Sequence, residues 1–105
     1  MKKIEEQDGC VGKALEVIGD KWTPLILKAI ADGNCRFGLL QKEVAGISPR
    51  TLSQRLEHLV HEGILSKKSY NEIPPRVEYT LTDKGYDLIP ILRQMAKWGL
   101  KYQAA

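Results

Sequence analysis

The sequence predicts a single α+β domain, mainly α, in which four short helices precede a two-stranded hairpin and one long helix follows it. Three observations carry that expectation. Gly and Pro punctuation divides the chain ahead of Ile64 into short helical blocks. The apolar period then falls to two through Val77, Tyr79 and Leu81, and it returns to helical spacing through Leu88, Leu92 and Met95. With 105 residues, of which 43% are hydrophobic, the chain can bury one modest core, so residues 1–105 are expected to form one domain.

The elements follow in order. Val11, Leu15 and Ile18, with Ala14 between them, keep the i, i+4, i+7 spacing of a first helix, which Gly19 and Asp20 close. Thr23 is the expected N-cap of a second, with Pro24 at its first position, and Leu25 to Ala31 is apolar enough to make it central; Asp32-Gly33-Asn34 ends it. A short extended piece at Cys35 to Phe37 leads to a third helix marked by Leu39, Leu40 and Val44 and stopped near Ala45-Gly46. Gly46 and Ile47 make a tight turn. Ser48 then caps a fourth helix, Pro49 supplies the fixed φ of its first turn, and Leu52, Leu56, Leu59 and Val60 form a buried stripe ending at Gly63. Two short helices across a tight turn predict a helix-turn-helix. Next, "ILSKKSY" pairs antiparallel with the strand of Val77, Tyr79 and Leu81 across a stiff tip, "NEIPP". Thr82-Asp83 opens the last helix, which Pro90 kinks. Its residues Leu88, Ile89, Ile91, Leu92, Met95, Ala96 and Trp98 exceed one core-facing stripe, so part of that surface needs another partner.

Composition removes several classes of function. No apolar run approaches the roughly 20 residues that span a bilayer, and the start "MKKIEEQDG" lacks the apolar segment of a signal peptide, so a cytoplasmic protein without a membrane partner is expected. Cys10 and Cys35 are too few for a disulfide framework and too far apart in sequence for a zinc or thioredoxin motif. No nucleophile, base and orienting group can be assembled, no glycine-rich phosphate loop is present, and neither an enzyme nor a cofactor is expected. His58 and His61 beside Glu57 and Glu62 read as surface groups, not as metal ligands. Trp22, Tyr79 and Trp98 read as core and interface aromatics. A net charge of +3 permits a polyanionic partner without demanding one, and the placement of the charge decides.

That placement points to double-stranded DNA. With the leucine stripe of the fourth helix turned inward, Arg50, Thr51, Gln54 and His58 point outward and Ser53 and Arg55 lie on the flanks. Arg and Gln can form paired hydrogen bonds to base edges, Ser and Thr can reach phosphates, and the helix N-terminus behind Ser48 and Pro49 favours an anion. Lys67 and Lys68 on the first strand and Arg76 beside the tip would then touch the DNA backbone. Together these features predict a winged helix-turn-helix.

The order "CVGKALEVIGDKW", "LILKAIADGNCRF", "GISPRTLSQRL", "EGIL" and "PPRVEYTLTDKG" resembles the HxlR-type winged helix transcriptional regulators, relatives of the MarR group, from Cys10 to about Gly99. The resemblance implies a homodimer joined through N- and C-terminal dimerisation helices, with Val11, Leu15, Leu88, Leu92, Met95 and Trp98 at the seam. It also implies recognition helices in successive major grooves of an inverted repeat operator, and wings on the flanking backbone or minor groove. Val11 and Leu39 depart from the usual pattern, which has proline and an acidic residue there. Some similar proteins sense disulfide stress or aldehydes through a cysteine ahead of the first helix. Cys10 stands there, where a helix N-terminus and Lys13 can lower a thiol pKa; the alternative is a packing residue at the dimer seam. A small-molecule or oxidant effector fits this scheme. The rival reading is an adaptor that has lost DNA binding, and it leaves the basic residues on one side without a purpose.

Overall fold

The computed structural model describes residues 9–103, so the start of the chain where a signal segment would stand, the two C-terminal residues and thus the ends of the 1–105 assignment lie outside the described residues. Among the described residues the order is α1 (Val11–Ile18), α2 (Thr23–Ala31), α3 (Phe37–Glu43), α4 (Pro49–His61), β1 (Leu65–Tyr70), β2 (Arg76–Leu81), α5 (Asp83–Tyr86) and α6 (Leu88–Lys101). The two strands are antiparallel, in register from Leu65 opposite Leu81 to Tyr70 opposite Arg76. Arg36 bridges to Glu78 on the other edge of β2, and the Tyr79 N–H donates to the Cys35 carbonyl at 2.8 Å. No helix among the described residues is long and apolar enough to cross a membrane.

Helix α2 is the centre of the domain because it is apolar on nearly every side. Ile26 and Leu27 are fully buried, and the helix packs against α1, α3, β2 and α6. Leu40 of α3 and the Leu52, Leu56, Leu59 stripe of α4 complete the same core with no exposed surface. Burying a leucine side chain of this kind contributes about 1.5–3 kcal/mol relative to leaving it in water. That burial fixes which face of α4 is left outside. The turn between α3 and α4 is pinned by buried Val44 and Ile47, and Gly46 supplies the φ of 85° that it needs. At the other end of α4, Gly63 (φ 74°) donates to Val60 at 3.1 Å and Ile64 donates to Leu59 at 2.9 Å, a Schellman closure that turns the chain into β1.

Three local expectations change. Thr23 is not the cap of α2 but its first residue, fully buried; Trp22 holds the cap position without a side-chain bond, and Asp20 ahead of it does the capping, accepting from the Thr23 N–H at 3.1 Å and from its hydroxyl at 2.8 Å. The extended piece before α3 is shorter than expected, with Phe37 already helical. The last helix is broken, not kinked. Asp87 separates α5 from α6, because Pro90 has no N–H to offer the Tyr86 carbonyl and its ring would crowd that carbonyl in a continuous helix.

Candidate nucleic-acid interface

The outer face of α4 is built from its first two turns. The Ser48 hydroxyl accepts from the Thr51 N–H at 3.1 Å and donates to the Thr51 hydroxyl at 2.9 Å, so the cap holds Thr51 while the rest of the turn stays open. Ser48, Pro49, Arg50, Ser53 and Gln54 are exposed, and Thr51 and Arg55 are half-buried. Arg50 and Gln54, four residues apart, lie one above the other on the side opposite the leucine stripe. Arg50 has no ion-pair partner among the described residues, whereas Arg55 lies 3.7 Å from Asp20, the residue that caps α2. The guanidinium of Arg55 thus ties α4 to α2. Arg50, Ser53 and Gln54 are thus exposed with no side-chain hydrogen bond or ion pair among the described residues, while Ser48 and Thr51 hold each other and Arg55 is held by Asp20.

The hairpin distributes its cations unequally. Lys67 Nζ lies 3.0 Å from Glu57 of α4, which couples the wing to the helix; the hydrogen bond to that carboxylate raises the lysine above its ordinary range, helped by Tyr79. Burial pushes the Tyr79 phenol up, with Lys67 opposing. Lys68 is exposed, its Nζ 5.0 Å from the centre of the Tyr70 ring. Arg76 is turned inward. Its guanidinium carbon sits 4.0 Å over the Tyr70 ring, and its Nε lies 3.3 Å from Glu72 and 3.9 Å from Glu78, buried and with no hydrogen bond of good geometry. A phosphate contact by Arg76 would have to break this cluster. Glu78 also accepts from the Tyr70 hydroxyl at 2.9 Å and pairs with Arg36 at 3.7 Å. Arg36 did not stand out in the sequence; the only signal was its place in the short extended piece that forms a third, single-rung edge of the sheet.

A second group of exposed residues lies on α1 and α6. Cys10 is exposed ahead of α1 and makes no side-chain cap hydrogen bond, and Val11 and Leu15 behind it are 52% and 56% exposed. Met95 and Trp98 of α6 are open too, at 51% and 69%, and every residue from Arg93 to Gln103 is exposed. Leu88 and Leu92, also expected at the seam, are half-buried and pack partly on the domain's own core. Leu25, Ile91, Leu100 and Tyr102 are also exposed, and Leu25 was hidden in sequence by the wholly apolar run around it.

This arrangement of two helices across a tight turn, a hairpin wing and an open basic helix end defines a winged helix-turn-helix of the transcriptional regulator class. The HxlR-like helix-turn-helix family profile matches residues 17–105, and the chain belongs to that family. It is 41% identical over 98 residues to the HTH-type transcriptional regulator BH0655 of Halalkalibacterium halodurans, covering 92% of this chain and 87% of that protein. Among solved structures it is similar to the oxidised form of the redox regulator HypR, with a TM-score of 0.84 and 36% identity over 90% of this chain and 98% of that one. A structure from Porphyromonas gingivalis W83 assigned to the MarR family of transcriptional regulators superposes with a TM-score of 0.83 and 38% identity, covering 96% and 99%.

Proposed function

We propose that this regulator works as a homodimer that reads an inverted repeat in double-stranded DNA, with α4 in the major groove and the β1–β2 wing on the flanking backbone or minor groove. Arg50 and Gln54 are assigned to base edges, Ser48, Thr51 and Ser53 to phosphates, and Lys67 and Lys68 to the backbone beneath the wing. Oxidation at Cys10 is assigned the regulatory input, by analogy with the redox regulator HypR. No catalytic step is part of this reading.

The observation that carries it is the opposition on α4 of a fully buried leucine stripe to an exposed Arg50, Ser53 and Gln54 at a capped N-terminus. An Arg or Gln that pairs with a base edge contributes about 1–3 kcal/mol of discrimination. Duplexes selected by the protein from a random-sequence library provide the probe. Arg50→Ala and Gln54→Ala should each weaken binding to them by about 1–3 kcal/mol while the circular dichroism spectrum and urea midpoint stay at the wild-type values. Equal affinity in a correctly folded double mutant would remove DNA reading from α4.

A further inference from the structure

We propose that Ile73, at the tip of the wing, is an apolar wedge that enters the minor groove of DNA and selects sites by the ease with which a base step unstacks. This rests on the DNA-reading assignment above and deepens it. Ile73 is fully exposed, at 102% of its reference surface, while Ile18, Ile26, Ile30, Ile47, Ile64 and Ile89 are buried. A single surface isoleucine is ordinary, but this one sits where a wing meets nucleic acid, and the two residues after it are exposed prolines. Pro74 and Pro75 have no N–H to give a phosphate and fix their own φ, so the tip offers a stiff apolar surface and few donors.

The cation that a charged wing would extend is absent from this tip. Arg76 is folded back onto the Tyr70 ring and the carboxylates of Glu72 and Glu78. The same cluster gives the tip a firm base. Tyr70 and Arg76 form the last rung of the ladder, and the Tyr70 hydroxyl fastens that rung to Glu78. The Lys67 contact to Glu57 joins the first strand of the hairpin to α4. Proteins that insert isoleucine, leucine or proline between base pairs do so from the minor groove, and pyrimidine–purine steps such as TA yield most readily. A rigid apolar tip fits that chemistry better than it fits a phosphate.

The test uses the full-length protein and a duplex it selects, with 2-aminopurine placed in turn at each base of the flanking sequence. Wild type should raise the 2-aminopurine emission at one flanking pyrimidine–purine step and bind about tenfold more weakly when that step is replaced by GG. Ile73→Ser should abolish both the emission rise and the step preference, and Ile73→Leu should keep them. A tight complex whose flanking steps show no emission change, or the same change with Ile73→Ser, overturns the wedge and leaves the tip to a protein contact. A wild type that selects no duplex at all overturns the DNA reading itself and the wedge with it.

Discussion

Lys68 and Arg76 lie on one face of the hairpin, yet their surroundings assign them different tasks. Lys68 is exposed, opposite Glu78 in the ladder and 5.0 Å from the Tyr70 ring, with no ion pair among the described residues, whereas Arg76 lies between that ring and two carboxylates. Each phosphate contact contributes about one unit to the slope of log affinity against log salt. Lys68→Ala should therefore reduce that slope by about one, and Arg76→Ala should leave it unchanged while loosening the wing; the reverse result would put Arg76 on the DNA. The difference was not legible in the sequence, because placing Lys68 on the first strand and Arg76 beside the tip says nothing of which cross-strand partners claim them. Cys10 was legible as a position ahead of α1, and its exposure leaves it open to oxidants. Diamide takes two hydrogens from a pair of thiols as they join in a disulfide. If that pair includes Cys10 of each subunit, their α-carbons must approach to about 4.4–6.8 Å, which would pull on both α1 helices. Operator affinity should change on diamide treatment of the wild type and stay constant in Cys10→Ser, with reduced-state binding preserved. Cys35→Ser should respond like the wild type unless the bond runs between the two cysteines. Equal operator binding by oxidised and reduced wild type would make Cys10 a packing residue.

Among the elements, α4 was legible almost to the residue because its stop and start signals are local: Ser48 and Pro49 begin it and Gly63 ends it. The caps that depend on neighbours were not. Asp20 reaches over three residues to start α2 and is also 3.7 Å from Arg55 of α4, a double role that no local rule assigns. The short helix α5 rests on a similar nonlocal arrangement. The Thr82 hydroxyl lies against the Gly63 and Ile64 carbonyls and accepts from the Gly85 N–H at 3.1 Å, and a Cβ at Gly85 would run into the Ile64 carbonyl and the Leu81 side chain. Gly85→Ala should thus destabilise the fold by about 1–3 kcal/mol in urea unfolding, because the obstacle is backbone that cannot swing aside. Alkali should act on the hairpin. Lys67 and Tyr79 are both raised above their ordinary values, so what they contribute to stability is complete below the ordinary range and is lost as pH rises through the raised values. The urea midpoint should therefore not vary with their titration near neutrality, where their contribution is complete, and should fall above about pH 10, with Tyr79→Phe delaying the fall.

For the whole molecule, the outstanding fact is the second half of α6, exposed on all sides yet carrying Met95, Trp98, Leu100 and Tyr102, with the rings of Trp98 and Tyr102 5.3 Å apart. A helical segment this short is marginal in water without a surface to pack on, and large exposed apolar side chains in such number are what the proposed dimer would cover. With Val11 and Leu15 of α1, that segment is the seam proposed for the dimer. The sequence disclosed the excess of apolar positions on the last helix; it did not disclose which of them the domain's own core would take, since Leu88 and Leu92 obey the same spacing as Met95. Leu15→Glu with Trp98→Glu should convert a dimer at micromolar concentration into a folded monomer in sedimentation, both sites being exposed in the isolated domain. The central claim is that two α4 helices related by that axis read two half-sites together. It is tested most directly by hydroxyl-radical footprinting on a duplex that the protein has selected. The account predicts two symmetric protected blocks with centres about 10–10.5 base pairs, or roughly 34 Å, apart, both lost together when Arg50 and Gln54 are replaced by alanine. A single asymmetric block, or protection that persists unchanged in that double mutant, would contradict it.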